Sequence, residues 1–118
     1  MGHFHVEGSD LVLQLSALEK LAGFRGDIRV PVSTVRQVRW VADPWHELRG
    51  IRAPGTGWPG VIAVGTRRGS GIKDFAVVHG KGPGIVVELE GAEFNRLVVT
   101  DNAAEGRAAE MVEQLRPG

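Results

Sequence analysis

Several side-chain groups in this 118-residue chain have types and spacings that could support chemistry. His3 and His5 lie two apart, so on a strand they share a face, and an His-x-His pair can begin a metal site. A third ligand would have to be His46, His79 or a carboxylate; no spacing selects one, and no metal is expected. Ser70, Asp74 and His79 include the residue types of a hydrolase triad. Ser70, however, stands between Gly69 and Gly71, with no Gly-x-Ser-x-Gly elbow and no strand-to-helix turn to present it. Glu88 and Glu90 fall on one strand face, where paired carboxylates do acid–base work only if a cleft perturbs them. Gly80-Lys81-Gly82-Pro83-Gly84 offers glycines and a lysine to a phosphate. A phosphate loop needs a helix amino terminus behind it, whereas Ile85 onward reads as a strand. Turns and solvated sheet faces account for all these groups, so neither catalysis nor a cofactor is expected.

A stronger combination surrounds the glycine-rich middle of the chain. Trp45 and Trp58 flank Arg49 and Arg52, and Arg67 and Arg68 follow one strand later. Should they converge, guanidinium forks and rigid aromatic rings would make a contact surface of the kind enriched at interface hot spots. Gly50 to Gly60 contains four glycines and two prolines and reads as the one long irregular loop. The expected binding residues are therefore Trp45, Arg49, Arg52, Trp58, Arg67 and Arg68.

Composition narrows the partners. Apolar residues make up 42% and charged residues 24%, the balance of a globular chain rather than a disordered one. Cysteine is absent, which removes disulfides, zinc-thiolate sites and thiol nucleophiles, and fits a cytoplasmic location. Basic and acidic residues are equal at 14 each, so no nucleic-acid partner is expected. No apolar run reaches the roughly 20 residues of a membrane helix, and the opening Met1-Gly2-His3-Phe4-His5 does not read as a signal peptide. The charges are nevertheless segregated. Between Arg25 and Lys81 there are ten basic and four acidic residues, and the two flanks reverse those numbers. Such a pattern could make a bipolar surface suited to an acidic ligand or to self-association, or could be no more than solvated strand and helix faces.

The elements that must position these groups can be read from punctuation and period. Phe4 to Glu7 and Leu11 to Leu15 read as a hairpin around Gly8-Ser9-Asp10. Ser16-Ala17-Leu18-Glu19 matches a capping box, opening a short helix that Gly23 ends. Asp27 to Val30 reads as a strand, Ser33-Thr34-Val35 as a turn, and Arg36 to Val41 as a strand with Val38 and Trp40 inward. Asp43-Pro44 reads as an N-cap and first helical position for one turn through Leu48. Four β-prone runs come next, 61–64, 74–78, 85–89 and 96–99, as an antiparallel meander, because their connections are too short for crossover helices. Ala104, Ala108, Met111, Val112 and Leu115 form one apolar stripe on a terminal helix that Pro117 stops. Gly106 weakens that helix by roughly 1 kcal/mol relative to alanine, so docking of the stripe must hold it. The expectation is one domain, 1–118: a mainly β, partly open antiparallel barrel or sandwich of seven or eight strands capped by a C-terminal amphipathic helix.

This order of elements resembles the bacterial pleckstrin-homology-like (PH-like) domains. Ile28 to Val35 is similar to their strand, proline and serine-based turn, and Leu48 to Gly60 to their Gly-rich crossing between sheets. Leu97 to Asp101, running into the alanine-rich helix, is similar to their last strand and capping helix. The resemblance implies a non-catalytic binding or assembly module. Eukaryotic relatives that bind phosphoinositides use a basic cluster on the first hairpin, and the short, acidic Gly8-Ser9-Asp10 turn does not match it. The expected function is protein–protein contact or self-association through the 45–60 segment and nearby arginines. The alternatives are anionic-lipid contact at a membrane surface, or a small molecule inside the barrel.

Overall fold

Alternating apolar residues on either side of Gly8 produce the first hairpin, β1 (His3–Glu7) and β2 (Asp10–Gln14), to which β3 (Ile28–Pro31) adds antiparallel. Phe4, Leu11, Leu13, Ile28 and Val30 from these strands enter the main core. The computed structural model describes residues 2–23, 25–58 and 60–115; for 51–55 it describes the backbone alone. Between β2 and β3 runs α1 (Ala17–Gly23), opened as expected: the Ser16 amide donates to Glu19 Oε1 at 2.9 Å and the Glu19 amide to Ser16 Oγ at 3.2 Å.

The second sheet has six strands: β4 (Val35–Val41), β5 (Ile51–Trp58), β6 (Ile62–Gly69), β7 (Ile72–His79), β8 (Gly84–Leu89) and β9 (Arg96–Thr100). Their spatial order is β4-β8-β9-β7-β6-β5. The protein is mainly β, with nine strands in two sheets among the described residues, and the sheets do not close into a barrel.

Two expectations need correction. The meander is not wholly antiparallel, because β9 slots between β7 and β8 and runs parallel to β7. That position lets β9 be buried on both faces, as its apolar run Leu97-Val98-Val99 demands. Nor is 50–60 an irregular loop, since most of it is the edge strand β5. Its register steps from Arg52↔Arg67 to Gly55↔Gly65, so Ala53 and Pro54 together oppose Thr66 in a bulge. Proline, which has no N–H to give, falls where the ladder is already broken on an edge strand.

The two faces of this sheet are covered differently. Val64, Phe75, Val77, Ile85, Val87, Leu97 and Val99 face the first sheet in one core. C-terminal α2 (Ala104–Leu115) closes that core with Ala104, Ala108 and Met111 buried, and Leu115 partly so. Asp101 caps the helix, its Oδ1 accepting from the Ala103 amide at 2.8 Å. The expected stop at Pro117 lies outside the described residues. Trp40 points to this side as expected but is 46% exposed beside α2, because the helix stripe fills the space first. On the opposite face, Ala63, Ala76, Val78, Val86 and Val98 are covered by the 3-10 turn Pro44–Glu47 and its flanks, through Val41, Trp45 and Leu48.

Gly50 is where the covering segment turns into β5. Its φ is +73°, and a Cβ there would lie 2.4 Å from the Arg68 carbonyl oxygen, so only glycine fits.

Candidate functional site

Of the six residues expected to form one surface, the five whose side chains are described divide between the two faces of the second sheet. Trp45 and Arg49 lie over the outer face, and Trp45 Nε1 donates to the Gly80 carbonyl at 2.7 Å. Arg49 forms a two-pronged pair with Asp74, Nε to Oδ2 at 2.7 Å and Nη2 to Oδ1 at 2.8 Å. Arg67 holds the same segment from beneath, donating to the carbonyls of Arg49 and Gly50, each at 3.0 Å. Trp58 pairs with Ile62, so it shares the inner face, and it is 70% exposed. Arg68 pairs with Lys73 on that face at the far end of the hairpin, and is exposed. Arg52 pairs with Arg67 along the backbone, and its side chain lies outside the described residues. Six strand positions separate Arg52 from Trp58, about 20 Å at the usual rise.

Charge segregation in the sequence resolves into pairing within the fold. Central Arg25 meets Glu93, Arg29 meets Glu7 and Asp10, and Arg36 meets Glu90. Arg39 bridges Glu47 at 2.6 Å and Glu88 at 3.3 Å, and Arg96 joins the same two carboxylates at 3.6 Å. The Arg39 guanidinium holds the Glu47 carboxyl below its usual range. The basic middle and acidic flanks therefore neutralise each other across strands.

The catalytic and metal combinations do not assemble. Asp74 and His79 project from opposite faces of β7, Asp74 toward Arg49 and His79 toward Glu19. Ser70 lies in the β6–β7 turn. Glu88 is bound into the arginine network, and Glu90 pairs with Arg36 in solvent. Among the described residues, no three His, Asp or Glu side chains are grouped to hold a metal ion. His5 lies 3.2 Å from Glu7, and its ring is 6.2 Å from that of His3.

The chemically distinctive place lies under α1. Leu18, Ala22, Ile62 and Val64 wall a cleft of about 460 Å³, with Ser16, Glu19 and His79 as its polar lining. Glu19 is almost completely buried. Its Oε1 accepts the Ser16 amide, and its Oε2 accepts the Gly2 amide at 2.9 Å and faces His79 Nε2 at 2.8 Å. Burial is the largest influence on this carboxyl and pushes its pKa up. The Ser16 amide, His79 and the Gly2 amide, with the amino-terminal charge, outweigh burial and hold the pKa below the ordinary 4.5. Thr56 Oγ1 donates to the Ala22 carbonyl at 2.9 Å and fixes α1 to the β5–β6 hairpin.

The two elements that flank this cleft, α1 and the β5–β6 hairpin, carry exposed large apolar side chains. Leu18 is 79% exposed, and Leu21, Trp58 and Val61 are also exposed. Scattered apolar side chains are ordinary, but here two lie on α1 and two on the β5–β6 hairpin that Thr56 ties to it. Sequence reading identified Trp58 and the capping role of Glu19, but not the cleft. The missing signal was Leu18 and Leu21: neither belongs to the buried face of a helix only seven residues long. Comparison with protein-family models, curated proteins and solved structures finds no match to this chain.

Proposed function

We propose that this chain is a PH-like, non-catalytic interaction module that associates with a second copy of itself through the α1 and β5–β6 face. The observation that carries the reading is the exposed quartet Leu18, Leu21, Trp58 and Val61 beside β5, an edge strand of the six-stranded sheet. An edge strand has unpaired backbone groups along one side, and antiparallel pairing with its own copy about a two-fold axis satisfies both edges at once. The same axis lets each apolar patch cover the other, so backbone and side-chain terms favour one arrangement. Support for a non-catalytic role comes from the titratable groups, which are committed to structural pairs such as Arg49–Asp74 and Arg39–Glu47.

Sedimentation equilibrium across a broad protein concentration range tests this reading. The expected result is a mass rising to twice that of the chain, and a monomer throughout for Leu21→Glu. A wild-type chain monomeric at all concentrations, or a dimer indifferent to Leu21→Glu, would overturn it.

A further inference from the structure

The cleft beneath α1 has a composition that simple packing does not require. Four apolar residues wall it, and a buried carboxylate paired with a partly exposed imidazole lies at its margin. Its volume of about 460 Å³ falls within the range of small-molecule sites, roughly 300–1,000 Å³. Such sites are largely apolar with a few polar groups that fix orientation, and this one has that ratio.

The hydrogen-bonding state of the polar groups selects the ligand. Glu19 is ionised and can only accept, so the proton in its contact with His79 must lie on Nε2. The other ring nitrogen, Nδ1, has no partner among the described residues. Ser16 Oγ accepts from the Glu19 amide, while its own proton goes to no described protein group. The residues lining the cleft therefore carry two polar groups without a protein partner, the His79 ring nitrogen and the Ser16 hydroxyl, and a hydroxyl, which both donates and accepts, is the simplest group that can serve both. A carboxylate would bring a second anion toward Glu19.

We propose that this cleft binds a compact, largely apolar molecule carrying a single hydroxyl, a substituted phenol or a short aliphatic alcohol. Its hydrocarbon body lies against Leu18, Ala22, Ile62 and Val64, and its hydroxyl bonds to His79 Nδ1 and to the Ser16 hydroxyl. Leu18 belongs both to this wall and to the proposed contact between copies, so the site is tested in a monomeric chain.

The test uses three probes of similar size: 4-butylphenol, butylbenzene and 4-butylbenzoate. Each is titrated by calorimetry into the Leu21→Glu chain at a concentration where sedimentation shows it to be monomeric. Failure of ligand binding is then distinct from failure of the association reading. 4-Butylphenol is expected to bind at least about tenfold more tightly than either other probe, the factor that one well-made hydrogen bond supplies. His79→Phe should bring the phenol down to the level of the hydrocarbon. That change strips Glu19 of a partner, so Ala22→Leu serves as the second variant: it leaves the pair intact, narrows the cleft and should weaken all binding. Equal affinity for phenol and hydrocarbon, binding unaffected by Ala22→Leu in a folded chain, or no heat from any probe would each overturn the proposal.

Discussion

Asp74 is removed from solvent on the outer face of β7, and both of its carboxylate oxygens are held by the Arg49 guanidinium. Twenty-five positions separate the two residues, and their pairing anchors the Pro44–Glu47 turn segment to the sheet just before β5 begins. Arg67 fastens the same segment through two backbone carbonyls. A guanidinium expected to meet a partner instead serves the fold, because a buried carboxylate needs a fixed two-pronged cation nearby.

Arg49→Met should destabilise the chain by about 3 kcal/mol, since it leaves the Asp74 charge buried and unpaired. The double change Arg49→Met with Asp74→Leu should recover much of that loss, because the uncompensated charge is gone. Urea unfolding of the wild type, both single variants and the double variant measures the coupling. A double variant as unstable as the two losses combined would mean that the residues act independently.

Local sequence signals located most of the fold. Ser16 and Glu19 announced α1, Asp43-Pro44 announced the covering turn, and the stripe from Ala104 to Leu115 announced α2, since each depends on residues within one or two turns. β5 escaped because its strand character comes from its partner: the regular run of β6 pairs a segment whose own glycines and prolines favour a loop. The insertion of β9 between β7 and β8 is a long-range choice that no short pattern encodes. The same limit applied to the candidate site. The cleft joins Leu18 and Ala22 of α1 to Ile62 and Val64 of β6, some forty positions later, brought together by α1 packing on the hairpin.

Acid should reveal Glu19. Its pKa is lowered in the folded chain, so as pH falls the unfolded chain takes up the proton first. The stability from this group is complete above the ordinary carboxylate range and drains away as pH falls through the lowered folded value. Glu47, held down by Arg39, adds to the same acid limb. Between about pH 5 and pH 2, Glu19→Gln should flatten the fall in unfolding free energy while lowering the plateau near neutrality. An acid limb of unchanged steepness in Glu19→Gln would show that Glu19 is not what the acid titrates.

Gly50→Ala should be far costlier than alanine at an exposed helical position. The residue has positive φ, and the added Cβ would meet the Arg68 carbonyl at 2.4 Å, backbone against backbone. A loss above about 1 kcal/mol is expected in urea unfolding. Gly106→Ala provides the control: among the described residues nothing beyond the helix's own backbone and its chain neighbours would come within 4 Å of the added methyl, and it is helical, so it should gain stability by up to about 1 kcal/mol. Similar effects at the two positions would remove the close approach of Gly50 to Arg68 as an account of this turn.

Trp58 should report association directly. It is 70% exposed, whereas Trp45 is partly covered and spends its indole N–H on the Gly80 carbonyl. If the α1 and β5–β6 faces of two copies meet, raising the concentration should shift fluorescence to shorter wavelength as Trp58 leaves water. Trp58→Phe should abolish the shift while changing unfolding free energy by less than about 0.5 kcal/mol, as expected at a surface position free of special constraints. The Trp45→Phe chain should still show the shift, although it should lose about 1 kcal/mol with its hydrogen bond. A shift that survives Trp58→Phe would place the contact on some other face.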